Sequence, residues 1–257
     1  MKLENQVALI TGSNRGIGHG IALAFAHEGA DIVINYRSHA DEAQAVAEEI
    51  RTVGRRAIVC RADVADRQEV DAMVQAAVDE FGRIDIGVAN AAMSIRKPFL
   101  ELTNDDMETV IGVSLMGVFN VIQACARVMT DTKTAGNLLV ISSSHASIPF
   151  ATAVPYNTCK AGINHMAYTI ADELRTAKIR VNVIEPGWID TPGERAYLSD
   201  KELEANAGNV PWGRLGTIDE LGAAAVFMCS DDASYVTAAT LRVDGGFWLP
   251  SRGRTSI

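Results

Sequence analysis

Short apolar runs alternate with longer stretches of helical periodicity along the whole 257-residue chain, and few folds accommodate that alternation. The runs 7–10, 31–35, 57–60, 84–89, 138–141, 179–184 and 240–243 are rich in β-branched residues and apolar on both faces. Strands that read this way are buried in a parallel sheet, whereas half-solvated antiparallel strands alternate apolar and polar residues. Helical patterns fill 16–28, 40–53, 66–80, 104–131, 155–177 and 217–230. The expected architecture is α/β: one doubly wound parallel sheet of about seven strands with helices on both faces. The length suits a single domain spanning 1–257, and no linker, low-complexity tract or internal repeat divides it. Thr217 and Glu220 have capping-box spacing at the last helix start. The polar, proline-bounded segment 191–211 breaks the alternation and is expected to carry short helices and act as a substrate lid.

Composition narrows the function classes. With 23 basic and 32 acidic side chains the formal charge is −9. Such a chain is a poor nucleic-acid binder, since phosphate neutralisation needs clustered Lys and Arg, and it is not drawn to anionic membrane surfaces. The N-terminus lacks the order of a secretory signal, and no uninterrupted apolar run approaches the ~18 residues of a membrane span. Cys60, Cys125, Cys159 and Cys229 form no C-x-x-C pair, so neither zinc nor a redox dithiol is signalled. These features predict a reduced, cytoplasmic protein and signal no metal site.

Three motifs carry chemistry. The first strand runs into Thr11-Gly12-Ser13-Asn14-Arg15-Gly16-Ile17-Gly18. Glycines there remove Cβ atoms so that a pyrophosphate can approach the backbone, and the helix N-terminus points its free N–H groups at the phosphates. Tyr156 and Lys160 share a face if their segment is helical. A neighbouring cation favours the phenolate, so the pair is suited to general acid–base work on an alcohol or carbonyl. Ser142, Ser143 and Ser144 end the fifth strand, where hydroxyls can polarise a carbonyl oxygen. Each motif alone also has an ordinary structural explanation: a tight turn, a surface pair, loop hydroxyls.

Taken together the motifs resemble the short-chain dehydrogenase/reductase family over essentially the whole chain. Thr11 to Gly18 matches the family's cofactor turn. Asp63-Val64 matches its adenine contact, and Asn90-Ala91 its fourth-strand motif. Ser143 precedes Tyr156 by 13 residues, the family's catalytic spacing. Pro186-Gly187, Ile189 and Thr191 match the nicotinamide-gripping segment, and Asp244-Gly245-Gly246 the C-terminal motif. The resemblance implies a Rossmann-type fold and metal-free hydride transfer. It makes Tyr156 the proton donor and acceptor, Ser143 the polarising hydroxyl, and Lys160 the residue that lowers the Tyr156 pKa and holds the nicotinamide ribose. Two positions depart from the family pattern. Ala92 replaces a glycine. Ser114 stands where an asparagine normally completes the catalytic tetrad, so water is expected to fill the space beside Lys160 or turnover to suffer.

The family's NAD-selective members carry an acid at the end of the second strand. Here the region reads Asn35-Tyr36-Arg37-Ser38, without one. Arg15 and Arg37 are candidates for a 2′-phosphate, where a guanidinium binds planar and bidentate. NADP(H) is therefore the expected cofactor, with NAD(H) usable. The resemblance is nearest to glucose 1-dehydrogenases and 3-oxoacyl-carrier-protein reductases. Thr134 and Ala177 replace the docking arginines frequent in the latter, although Lys133, Arg175 and Lys178 lie nearby. A sugar or polyol is thus the first expectation, contacted by His145, Arg96 and Trp188, with Lys97 and Asn157 as further hydroxyl-bonding candidates. A 3-oxoacyl thioester is the alternative. From a different class, a non-catalytic dinucleotide-binding regulator would be consistent with Ser114. The family also implies a homotetramer, with Phe247-Trp248-Leu249 at an interface.

Overall fold

The computed structural model describes residues 1–195 and 199–249. Seven parallel strands form its sheet: β1 (Val7–Ile10), β2 (Asp31–Tyr36), β3 (Ala57–Arg61), β4 (Ile86–Ala89), β5 (Asn137–Ile141), β6 (Arg180–Pro186) and β7 (Thr240–Val243). Their order is β3-β2-β1-β4-β5-β6-β7. In register, Leu9 of β1 lies between Val33 of β2 and Gly87 of β4. The order reverses between β1 and β4, which opens a crevice beyond the carboxyl ends of those strands.

Helices cover both faces. On one face α1 (Gly16–His27), α2 (Ala40–Thr52) and α9 (Ile218–Cys229) pack on Ala8, Ile10, Ile32, Ile34 and Val88. On the other, α3 (Arg67–Phe81), α5 (Gly117–Asp131) and α6 (Val154–Leu174) pack on Val7, Leu9, Val33, Ala89 and Val140. Successive residues of β1 thus enter opposite cores, which is why its sequence shows no polar alternation. Two short helices, α7 (Pro192–Arg195) and α8 (Asp200–Ala207), occupy the segment expected as a lid, of which residues 196–198 lie outside the described residues.

The expected elements are present, with local differences. The fourth strand begins at Ile86 because Asp85 is spent on β1, its backbone N–H donating to Val7 O and its carboxylate accepting from Val7 N, both at 2.9 Å. The Thr217–Glu220 capping box forms with both arms, and a second, Thr103–Asp106, starts α4 (Asn104–Ile111). The predicted helix 104–131 is continuous for 28 residues but contains a π-helical turn at Gly112–Met116. By length and composition it is apolar enough to cross a membrane; over half of its apolar window is buried, and the α5 part contributes Val118, Val121, Ile122 and Cys125 to the sheet-facing core.

Candidate functional site

The glycine turn is pinned from both sides. Asn90 Nδ2 donates to Thr11 O at 2.8 Å, and Asn90 N and Ala91 N donate to Thr11 Oγ1 at 3.0 and 3.1 Å. Asn35, buried at the end of β2, accepts from Gly12 N at 3.0 Å through Oδ1, and its amide donates to Ala62 O at 3.1 Å. Ser13 Oγ accepts from Asn35 N and donates to Ile10 O. Sequence reasoning passed over Asn35 because nothing local distinguishes a latch from a loop amide. Gly12 and Gly16 take left-handed φ of +62° and +59°. A Cβ on Gly18 would stand 2.4 Å from Gly12 O and 2.6 Å from Asn90 Nδ2. The turn is therefore a backbone cradle that admits no side chain at Gly18, and it opens on the α1 N-terminus. Those features fit a dinucleotide pyrophosphate.

Other cofactor candidates gather round the cradle. Thr191 faces Gly16: a Cβ there would lie 3.7 Å from the Thr191 side chain. Pro186 ends β6, and Gly187 N donates to Val243 O at 3.0 Å. Ile189 bridges to Gly216. Val64 is buried and its carbonyl accepts from Asn120. Asp63 caps its own loop through Ala65 N and stands 3.8 Å from Arg37 Nη1. Tyr36 is half-buried, and Arg37 and Ser38 are exposed. Arg15 is not an isolated cation: its Nε pairs with Glu42 Oε2 at 2.9 Å.

Tyr156 and Lys160 lie on the first turns of α6, and Ser143 follows β5, so the three meet at one end of the sheet. Lys160 is 2 % exposed; its Nζ donates to Ile141 O at 2.7 Å and sits 5.3 Å from the Tyr156 ring centre. Burial pushes the Tyr156 phenol up to about 12, while the Ser143 hydroxyl pulls the other way. Burial also brings Lys160 down to about 8. The Tyr156 pKa is thus raised rather than lowered as expected: withdrawal from water dominates at the phenol, and the same burial destabilises the charge of Lys160.

Ser114 does not stand free. Its hydroxyl donates to Met93 O at 2.8 Å and accepts from Met93 N at 2.9 Å, so its one proton is committed to the loop after β4. A water in the space beside Lys160 would meet only the remaining lone pair of this hydroxyl, not its proton. The bond arises from the π-helical turn, which carries Ser114, buried, on its inner side.

At the mouth, His145 stacks on Phe150 at 4.1 Å between ring centres and meets Tyr156 edge-on at 5.1 Å. Phe150 is parallel to Phe247 at 5.9 Å. His145 Nδ1 lies 2.6 Å from Asn157 Oδ1, and Asn157 Nδ2 donates to Phe150 O at 2.9 Å. That amide orientation puts the proton on Nδ1 and leaves Nε2 an acceptor. Burial lowers the His145 pKa, keeping the ring neutral at pH 7. Two hydroxyl-bonding candidates are otherwise engaged: Asn157 as above, and Lys97 by both Asp106 oxygens at 2.8 Å. Arg96 is exposed and close enough to act electrostatically on both Tyr156 and His145. Trp188 Nε1 donates to Glu194 at 3.1 Å, tying the end of β6 to α7. Glu194 had no motif to mark it, and Phe247, expected at an interface, is brought against Phe150 by the fold.

A family model described as enoyl-(acyl carrier protein) reductase matches residues 12–248. The chain is 36% identical over 248 residues to L-rhamnose 1-dehydrogenase (NAD(P)(+)) of a Sphingomonas species, covering 96% of this chain and 98% of that protein. It is equally, 36%, identical over 248 residues to 3beta-hydroxysteroid dehydrogenase 1 of Eggerthella lenta, covering 96% and 95%. Among solved structures it is similar to a gluconate 5-dehydrogenase from Burkholderia cenocepacia in complex with NADP and tartrate, with a TM-score of 0.89, 35% identity and 96% of each chain covered.

Proposed function

The chain belongs to the short-chain dehydrogenase/reductase family and is a nicotinamide-dependent oxidoreductase acting on CH–OH donors; on that premise we propose that it prefers NADP(H) and acts on a small polyhydroxylated molecule, a sugar or polyol. The observation that carries the substrate class is the mouth beside Tyr156. There a neutral His145 offers a bare acceptor nitrogen, Arg96 offers donors, and the Phe150–Phe247 stack offers a flat wall for a C–H face. In this reading Ser143 donates to the substrate oxygen, and Tyr156 exchanges a proton with that oxygen at its Oη. Lys160 places positive charge beneath the phenol and meets the nicotinamide ribose. Nicotinamide, when bound, supplies or accepts the hydride. The glycine turn, Asn90, Ala91, Gly187 and Thr191 hold the cofactor's phosphates and amide. Helices α7 and α8 act as the lid over the substrate, with α7 steadied by Trp188–Glu194.

NADP(H) preference rests on the absence of an acid at the end of β2 and on Arg15 and Arg37 beside the cradle. One observation favours a second reading. The Phe150–Phe247 wall also suits an apolar ring system, and a hydroxysteroid dehydrogenase is as similar to the chain as the sugar enzyme. A panel of aldoses, aldonates, polyols, 3β-hydroxysteroids and 3-oxoacyl thioesters, followed at the nicotinamide band with each cofactor, tests both. Sites built to bond hydroxyls reject analogues lacking them strongly. Efficient turnover of a sugar or polyol, lost on deoxygenation, is the expected result. Turnover of steroids or acyl thioesters alone overturns it.

A further inference from the structure

The end of β2 carries no acid, but the helix after it does. Glu42 stands in the first turn of α2, and its carboxylate reaches back to the glycine turn. Oε2 accepts from Asn14 Nδ2 at 2.9 Å and pairs with Arg15 Nε at 2.9 Å. These residues line a cleft of about 270 Å³ together with Gly16, His19 and Glu49. Glu49 is itself paired to His19 at 3.1 Å, so Glu42 is the carboxylate that answers Arg15. Binding through Nε occupies one edge of the guanidinium and leaves the Nη pair to meet another anion.

We propose that Glu42 is a cofactor-specificity residue, which restrains selectivity for the 2′-phosphate of NADP(H) and so keeps NAD(H) usable. The inference rests on the reading that Arg15 and Arg37 face that phosphate. Two effects of Glu42 oppose each other. It orients Arg15, and it neutralises and repels. Both side chains are well exposed, at 38% and 43%, and an exposed ion pair of this kind gives little net ordering. A 2′-phosphate, by contrast, carries nearly two negative charges. On the Nη edge of Arg15 it would lie within the roughly 8 Å Debye length of the Glu42 carboxylate. Repulsion therefore outweighs orientation. NAD(H) has an uncharged hydroxyl at that position and feels neither effect strongly.

Glu42→Gln isolates the charge. The Gln amide oxygen can still accept from Arg15 and Asn14, so the local geometry survives. Dissociation constants are measured by calorimetry for NADPH, NADH and adenosine 2′,5′-bisphosphate, which reads the phosphate site without turnover. The variant is expected to bind NADPH and the bisphosphate about fivefold to tenfold tighter at low ionic strength, with the gain shrinking as salt is added. NADH, which shares the pyrophosphate but carries an uncharged hydroxyl at the 2′ position, should gain less than about twofold. Weaker NADPH binding, an equal change for both cofactors, or no change overturns the proposal. Arg37→Ala is titrated in parallel. If it weakens NADPH and NADH alike, the 2′-phosphate reading itself fails. If it is selective for NADPH while Glu42→Gln has no effect, only the role of Glu42 fails.

Discussion

At Tyr156 two influences compete, and their balance decides which direction of reaction is easy at neutral pH. Burial holds the phenol protonated, up to about 12, against the pull of the Ser143 hydroxyl. A protonated phenol is ready to give a proton to a carbonyl, whereas alcohol oxidation needs it as a base. Oxidation should therefore speed up as pH rises toward 10, while reduction stays flatter across neutral pH. Tyr156→Phe should lower turnover in both directions by about 10²–10⁴-fold, the usual worth of general acid–base catalysis. Calorimetry should show its cofactor affinity unchanged; near-normal turnover would remove Tyr156 from the mechanism. Lys160 has a thermodynamic signature of its own. Its folded pKa, about 8, lies below the ordinary 10.5, so between those values the unfolded chain binds more protons. Stability contributed by this group therefore rises with pH across that window. Lys160→Met should abolish turnover, retain the fold and flatten the rise in Tm between pH 8 and 10. A rise of unchanged size in the variant would assign it to other groups.

The elements were largely legible because burial on both faces leaves a strand no polar alternation. Residues such as Ile32–Ile34 and Leu138–Ile141 announce themselves by composition alone, and the capping box at Thr217 marks a helix start by spacing alone. The π-helical turn at Gly112–Met116 was not legible, since a single turn with the wider i→i+5 step is too short to break the apolar pattern of a 28-residue helix. Its consequence is functional. By aiming Ser114 at Met93, the turn fixes the loop after β4 that carries Arg96. The Glu42–Arg15 and His145–Asn157 pairs were hidden for a related reason: each joins two elements, and no local pattern records it. Ser114→Ala should leave the Met93 N–H and C=O without their partner, at a cost on the order of 1 kcal/mol. If the hydroxyl positions the loop, KM rises while kcat changes little, and Ser114→Asn restores much of the loss. A fall in kcat at constant KM would instead place Ser114 in the proton route.

At the scale of the molecule the sheet has an unfinished edge. β7 pairs with β6 alone among the described strands, and its residues Thr240, Leu241, Arg242 and Val243 are all partly or fully exposed. Apolar groups flank it in the chain. Tyr235 is fully exposed just before β7, Phe227 is 40% exposed on α9, and Trp248 and Leu249 are 41% and 60% exposed just after. Trp248 rests on the Arg242 guanidinium at 4.3 Å, which presents its ring along that same edge. A bare edge with apolar neighbours invites pairing with another chain unless charge or shape prevents it. The net charge of −9 opposes self-association, so any assembly through this edge has to draw on apolar contact. Light scattering should therefore find an oligomer at micromolar concentration, one that persists at high salt because screening relieves the repulsion and leaves the apolar contact intact. Placing acids in the patch, as in Phe227→Asp with Tyr235→Asp, should shift the population to smaller species without loss of far-UV circular dichroism. A stable interface buries about 800 Å² per partner, so disrupting its centre should also lower Tm. A monomeric wild-type chain, or a variant whose mass does not change, would show that this edge is simply solvated.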